Sequence, residues 1–372
     1  MIKSFNEFEL NEKMGVADGV RSVIDQIKNT VLEKTKAFII DPSRIGSKKF
    51  SITVKNPPEQ FPVHKLKLEV IREAQLVSEI SYEAAYLGDI KQTDKGLEFS
   101  FMFNITLPVM PTEIMHMMGN DGAIKEDEES AILGNMYHEF THAYEDYKRR
   151  SGGSKTSLSS QKEFFYDKAS SDIRDGNRLP QELMDFLYNI YAVASYEINA
   201  RVAQTEAYIE KGKTREERIA LAKGTYMWDV VNRLTQFEAD KFKKNLIEDG
   251  MKFFASRRVP HREAKIKVEA GVNTALSQIS TALYNNYERV SNMILENPDQ
   301  KHIKEITSFF NDVQKNEELK QGILDKIKFW HNDIERLSHK SPDAFLKYWE
   351  RKFHFHGEKL RRKMLRVVAS KE

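Results

Sequence analysis

The chain has 372 residues, with 58 Lys+Arg against 56 Asp+Glu, so a net charge of +2 argues against a whole-molecule nucleic-acid binder. It contains no cysteine, which excludes disulfides, thiolate metal sites and a cysteine nucleophile. Gly (17) and Pro (10) are scarce for a chain of this length, and that scarcity of breakers predicts a helix-rich fold.

The N-terminal stretch Met1–Glu12 is interrupted by acids where a secretory signal needs an apolar run. From about Val16 to Ile40, Val20, Val23, Ile24, Ile27, Val31 and Leu32 recur at helical spacing, and Asp41-Pro42-Ser43 marks the stop. The period then changes to two. Ile52 and Val54, then Leu66, Leu68 and Val70, then Ile80, Tyr82, Ala84 and Tyr86, alternate with other residues. The clearest run is Leu97, Phe99, Phe101, Phe103, Ile105 and Leu107. These read as four strands with one buried face, in a largely antiparallel sheet whose pairing order the sequence leaves open.

After Pro108 and Pro111 the pattern is helical. Glu126 to Glu129 place four acids at the start of one helix and Lys148 to Arg150 three bases at its end, both complementing the helix dipole. A Gly/Ser/Thr-rich stretch, Ser151 to Ser160, is expected to be mobile, and a long helix is expected from about Gln181 to Lys211. Everything from Thr214 onward reads as further helices. No stretch approaches the ~18 apolar residues of a membrane span.

The bracketed helix contains His138-Glu139-Phe140-Thr141-His142. Residues four apart on a helix lie on one face with ~6 Å of rise, so both imidazoles can bind one metal ion. Glu139, beside the first ligand, is the candidate general base for a water activated by that metal. Imidazoles suit zinc, which accepts an open fourth position. A third protein ligand is needed. Glu197 is favoured because Ala194 and Ala200, three residues to either side, let that face approach the metal helix closely. Glu206, on the same helix, is the rival.

With these residues the chain resembles the gluzincin metallopeptidases, from about Phe50 to Lys211. That resemblance implies an α+β fold: a zincin-like core of mostly antiparallel sheet, an HExxH helix and a glutamate-bearing helix, followed by an all-helical extension. It implies a zinc-dependent endopeptidase acting on peptide or protein substrates. His138, His142 and Glu197 would hold zinc, Glu139 would activate water, and the strand Leu97–Leu107 would be the edge against which an extended peptide pairs. Arg201 stands where thermolysin-like members carry an aspartate. Tyr196, Tyr208, Arg201 and His116 are the candidates for stabilising the oxyanion.

Met1–Glu12 resembles the capsid-targeting peptides of internal head proteins in T-even-like bacteriophages, through Lys3-Ser4-Phe5, Glu7-Phe8 and Leu10-Asn11-Glu12. That resemblance implies cleavage after Glu12 by a head maturation protease. It also implies location inside the phage head and then in the host cytoplasm; without it the chain reads as cytoplasmic. The expected organisation is therefore a propeptide at 1–12, an N-terminal helix at 13–45, the metallopeptidase domain at 46–212 and a helical domain at 213–372. In the last segment, Lys347 to Glu372 carry nine bases and three acids with Trp349, Phe353 and Phe355 interleaved. Weak DNA contact is one reading. The preferred one is a solvated helix whose aromatics pack inward. The alternative for the whole chain is a catalytically idle internal head or structural protein with a zincin-like core, in which DNA association would be the remaining role.

Overall fold

The computed structural model describes residues 17–40, 45–74, 81–107, 124–150, 179–193, 195–296 and 341–370. Met1–Glu12, with its expected cleavage point at Glu12, lies outside them, as do His116 and the stretch from Ser151 to Ser160. The fold is α+β: among the described residues there are nine helices and one four-stranded sheet.

Helix α1 spans Asp18–Ile40 and is followed by β1 (Gly46–Thr53), β2 (Val63–Ala74), β3 (Ser81–Thr93) and β4 (Gly96–Leu107). Helix α2 is Glu126–Arg150, α3 Gln181–Ala192 and α4 Ser195–Ile209. Then come α5 (Arg215–Lys223), α6 (Tyr226–Thr235), α7 (Ala239–Ser256), α8 (His261–Glu296) and α9 (Pro342–Ala369). No helix among the described residues is long and apolar enough to cross a membrane.

The sheet order is β1-β2-β4-β3. β1–β2 and β3–β4 pair antiparallel, but β2–β4 pair parallel, so the sheet is mixed where a largely antiparallel one was expected. The reason is the way the β3–β4 hairpin docks. It turns through Asp94 and Lys95 into Gly96 at φ 124°, where a Cβ would come within 2.8 Å of the Pro62 carbonyl oxygen. Its second strand, not its first, then lies beside β2. Alternation reports which face is buried but not the direction of the neighbour. The same docking corrects the role expected for Leu97–Leu107: β4 is flanked on both sides and is not an edge. The edges are β1 and β3.

The described elements form two compact units. The first holds α1, the sheet, α2, α4 from Ile198, α5 and the last turns of α9. Its core joins Val20, Ile24 and Ile27 of α1 to Leu66, Leu68, Phe101 and Phe103 of the sheet. Ile132, Met136 and Phe140 of α2, with Ala203 and Ala207 of α4, complete it.

The second unit holds α3, α7, α8 and most of α6 and α9. Phe186 of α3 is its aromatic centre, with ring centroids 5.3–5.9 Å from Phe237, Phe242, Phe345 and Phe353. Trp349 and Phe353 are buried whereas Phe355 is exposed, as the inward-packing reading of the basic segment expects for two of its three aromatics. His354 Nε2–H donates to the Phe237 carbonyl at 2.7 Å, a structural use for that histidine.

The single helix expected from Gln181 to Lys211 is two helices. Val193 caps α3 at φ −90°, ψ 0°, and its N–H turns back to the Tyr191 carbonyl instead of continuing the ladder. No glycine or proline marks the break. It leaves Glu197 in the first turn of a new helix.

Candidate metal centre

α2 is a helix with two differently employed sides. Ile132, Met136, Phe140 and Ala143 recur at helical spacing and are fully buried. Phe140, in the middle of the HExxH sequence, makes edge-to-face contacts with Phe99 (5.0 Å, 80°) and Phe101 (5.7 Å, 61°) of β4. Seating that ring on the sheet turns His138 and His142 away from it, because positions two apart on a helix point in roughly opposite directions. The two imidazoles converge: their Nε2 atoms are 3.1 Å apart and the ring planes stand at 83°.

Glu197 joins them from α4. One ligand atom from each of His138, His142 and Glu197 lies within 4.8 Å of the other two. His138 and Glu197 are buried and His142 is half-buried. In a tetrahedral zinc site with bonds of 2.0–2.1 Å, ligand nitrogens sit about 3.4 Å apart, close to the Nε2 separation here. Two imidazoles and one carboxylate are a donor set that zinc accepts while leaving a fourth position free. The residues therefore fit a metal ion.

The approach of α4 to α2 is made by small residues. Gly134 of α2 is close-packed, since a Cβ there would lie 2.9 Å from Cε2 of Tyr208 and 3.2 Å from Cγ of Gln204. On α4, Ala200, Ala203 and Ala207 are buried at helical spacing. The helices run antiparallel, because Asn135 is met by Gln204 (3.4 Å) and Glu145 by Asn199 (3.0 Å). Glu206, the rival ligand, is nine residues or two and a half turns from Glu197 and so faces the opposite side of α4. There it accepts a 2.6 Å hydrogen bond from Arg21 of α1.

Glu139 is tied to the sheet edge. The backbone N–H of Tyr86 in β3 donates to its Oε2 at 2.7 Å, while its Oε1 lies 4.0 Å from His138 Nε2. One carboxylate oxygen is thus held and the other turned toward the histidines.

The oxyanion candidates separate. Arg201 is buried one turn along α4 from Glu197. Tyr208 is three turns away and belongs to the other end of α2: burial, then the charges of Glu128 and Asp127, push its hydroxyl up to about 12. The side chain of Tyr196 and all of His116 lie outside the described residues. Tyr86 is legible in the sequence only as a strand residue, because its contribution to the site is a backbone N–H. Nor does the sequence single out Asn199, Glu145 or Lys363, which stand in ordinary helical positions.

No protein-family model matches the chain, and no curated protein or solved structure does. The centre stands on its own geometry and chemistry.

Proposed function

We propose that the chain is a zinc-dependent endopeptidase with a zincin-like core. The observation that carries this reading is the convergence of His138, His142 and Glu197 with Glu139 alongside. A zinc ion held by these three residues would supply Lewis acidity, lowering the pKa of water and polarising a carbonyl.

The remaining work falls to the chain's own groups. Glu139 Oε1, facing the histidines, takes a proton from water as the oxygen attacks the peptide carbonyl carbon. Glu139 Oε1 then returns that proton to the amine nitrogen as the C–N bond breaks. The Tyr86 N–H keeps the carboxylate oriented through Oε2. Phe140 holds the helix against the sheet. The extended substrate takes its place along β3, the edge strand nearest Glu139, instead of the interior β4. Arg201 is the described candidate for charge stabilisation.

The rival reading is an idle core in a structural or internal head protein. It is favoured by the same Tyr86 N–H bond, since a carboxylate that accepts a backbone hydrogen bond is a weaker base. Packaging in a phage head, with cleavage after Glu12, belongs to the proposal through the resemblance of Met1–Glu12 alone. Protein recovered from virions should begin at Lys13 by mass spectrometry; an intact Met1 there removes the packaging reading and leaves the peptidase reading standing.

Glu139→Gln separates catalyst from scaffold. The amide keeps the volume but cannot take up the proton, and removing a general base costs roughly 10²–10⁴-fold in rate. Zinc content should be unchanged while cleavage of an unfolded protein falls by that factor. A parent that binds zinc and cuts nothing in a diverse peptide library, or cleavage retained in Glu139→Gln, would favour the idle core.

A further inference from the structure

Asn199 lies two residues beyond Glu197, 200° around α4, so the two flank the alanine stripe that faces α2 from opposite sides. Its side chain bridges two other helices. Nδ2 donates to Glu145 Oε1 of α2 at 3.0 Å, and Oδ1 accepts from Lys363 Nζ of α9 at 3.0 Å. Glu145 is three residues past His142, on the histidine side of α2. The partners are 54 and 164 residues distant in sequence.

We propose that Asn199 is the positioning residue of the metal centre, fixing the rotation of α4 about its own axis so that Glu197 meets His138 and His142, with Lys363 of α9 as its brace. The proposal rests on the reading of those three residues as a metal site.

The physical need is specific. A stripe of alanines makes a smooth contact that allows a helix to roll, since methyl groups interlock little. A roll of one residue's angle, about 100°, would carry Glu197 out of reach of the imidazoles. A directional bond on the far flank of the stripe opposes that roll. The bridge also has to join a carboxylate and an ammonium, so one side chain must donate at one end and accept at the other. An amide does this, and Asn is the shortest that can. Lys363 compensates the charge of Glu145 through the amide, and this makes the last turns of α9 part of the support of the site.

The test is zinc affinity of the full-length chain, measured by competition with a chromophoric chelator. Asn199→Leu keeps the branched outline of the side chain and loses both bonds; its zinc affinity should fall about 10–100-fold, the usual cost of removing a group that orients a metal ligand. Asn199→Asp sets two carboxylates face to face and should fall similarly. Glu145→Gln alone should bind like the parent, because its amide oxygen still accepts from Asn199. The exchanged pair Glu145→Gln with Asn199→Asp restores donor to acceptor and keeps the acceptor for Lys363, so affinity should return to the parental value. Lys363→Met should weaken binding by a smaller factor than Asn199→Leu.

Parental affinity in Asn199→Leu overturns the positioning role. So does an exchanged pair that stays as weak as Asn199→Asp, and this comparison holds even where Asn199→Leu does not fold. A parent that takes up no zinc, or zinc kept in full by His138→Ala, overturns the metal reading itself and the proposal with it.

Discussion

α2 and the α3–α4 pair supply the ligands of one centre but are built differently. α2 is a continuous helix of 25 residues. The other stretch is broken at Val193 into helices of 12 and 15 residues. The two also differ in how they place their ligands. His138 and His142 are one turn apart, so helix geometry alone brings them together. Glu197 reaches them only through packing, with the break, the alanine stripe and Asn199 each acting on where α4 lies. One half of the centre is a local property of the chain and the other a tertiary one.

That contrast can be broken most severely at the seat of α2. Phe140→Ala removes a fully buried ring that touches Phe99 and Phe101, and it should cost about 3–5 kcal/mol in urea unfolding. A loss below about 1 kcal/mol would mean that α2 is not anchored by this residue.

The two glutamates of α4 should then behave in opposite ways. Glu197→Ala should lose zinc at neutral pH and leave the fold intact. Glu206→Ala should keep zinc but destabilise the chain by about 1–3 kcal/mol, because Arg21 is only part-buried and water recovers some of its lost partner. Full zinc occupancy in Glu197→Ala would reverse the assignment.

Gly134→Ala probes the packing half more gently. Ala favours the helix by about 1 kcal/mol, but a Cβ 2.9 Å from the Tyr208 ring costs more, so a net loss of up to about 1 kcal/mol is expected. Zinc affinity should weaken with it, since α4 must move aside.

What was legible follows the same division. The alternation from Leu97 to Leu107 identified a strand and its buried face, because side-chain period is a local property. It could not show that β4 would lie inside the sheet and parallel to β2, since docking of a hairpin depends on surfaces far apart in sequence. The acids and bases at the two ends of α2 announced that helix. The break at Val193 had no such signal: Ala192, Val193 and Ala194 are all compatible with helix, and tertiary packing overrides propensity there. The spacing of alanines around Glu197 was a readable sign of close approach. The Lys363–Asn199–Glu145 bridge was not readable, because polar residues on helices are ordinary and their partners are remote.

The smallest expected effect concerns the far end of α2. The Tyr208 hydroxyl holds its proton up to about 12, while an unfolded tyrosine releases it near 10. The folded form is therefore favoured fully below about pH 10, and this contribution is lost as pH rises from there toward 12. Tyr82 and Tyr137 are shifted upward as well, both first by burial. Tyr208→Phe should flatten, without abolishing, the decline in melting temperature between pH 10 and 12. An unchanged slope would show that this hydroxyl does not titrate with unfolding.

The sheet order has a consequence for how copies of the chain behave in a crowded solution. A sheet with two edges offers two templates for another strand, and unguarded edges seed aggregation. β1 exposes Gly46 to Lys49, with two adjacent lysines that repel the same edge of a second copy. β3 is guarded differently. Its register slips between Tyr86 and Ile90, which spoils a straight template, and the Tyr86 N–H is already taken by Glu139. A strand arriving from another copy finds that N–H occupied and the register broken, so the edge accepts a short peptide beside Glu139 but does not grow into a longer sheet.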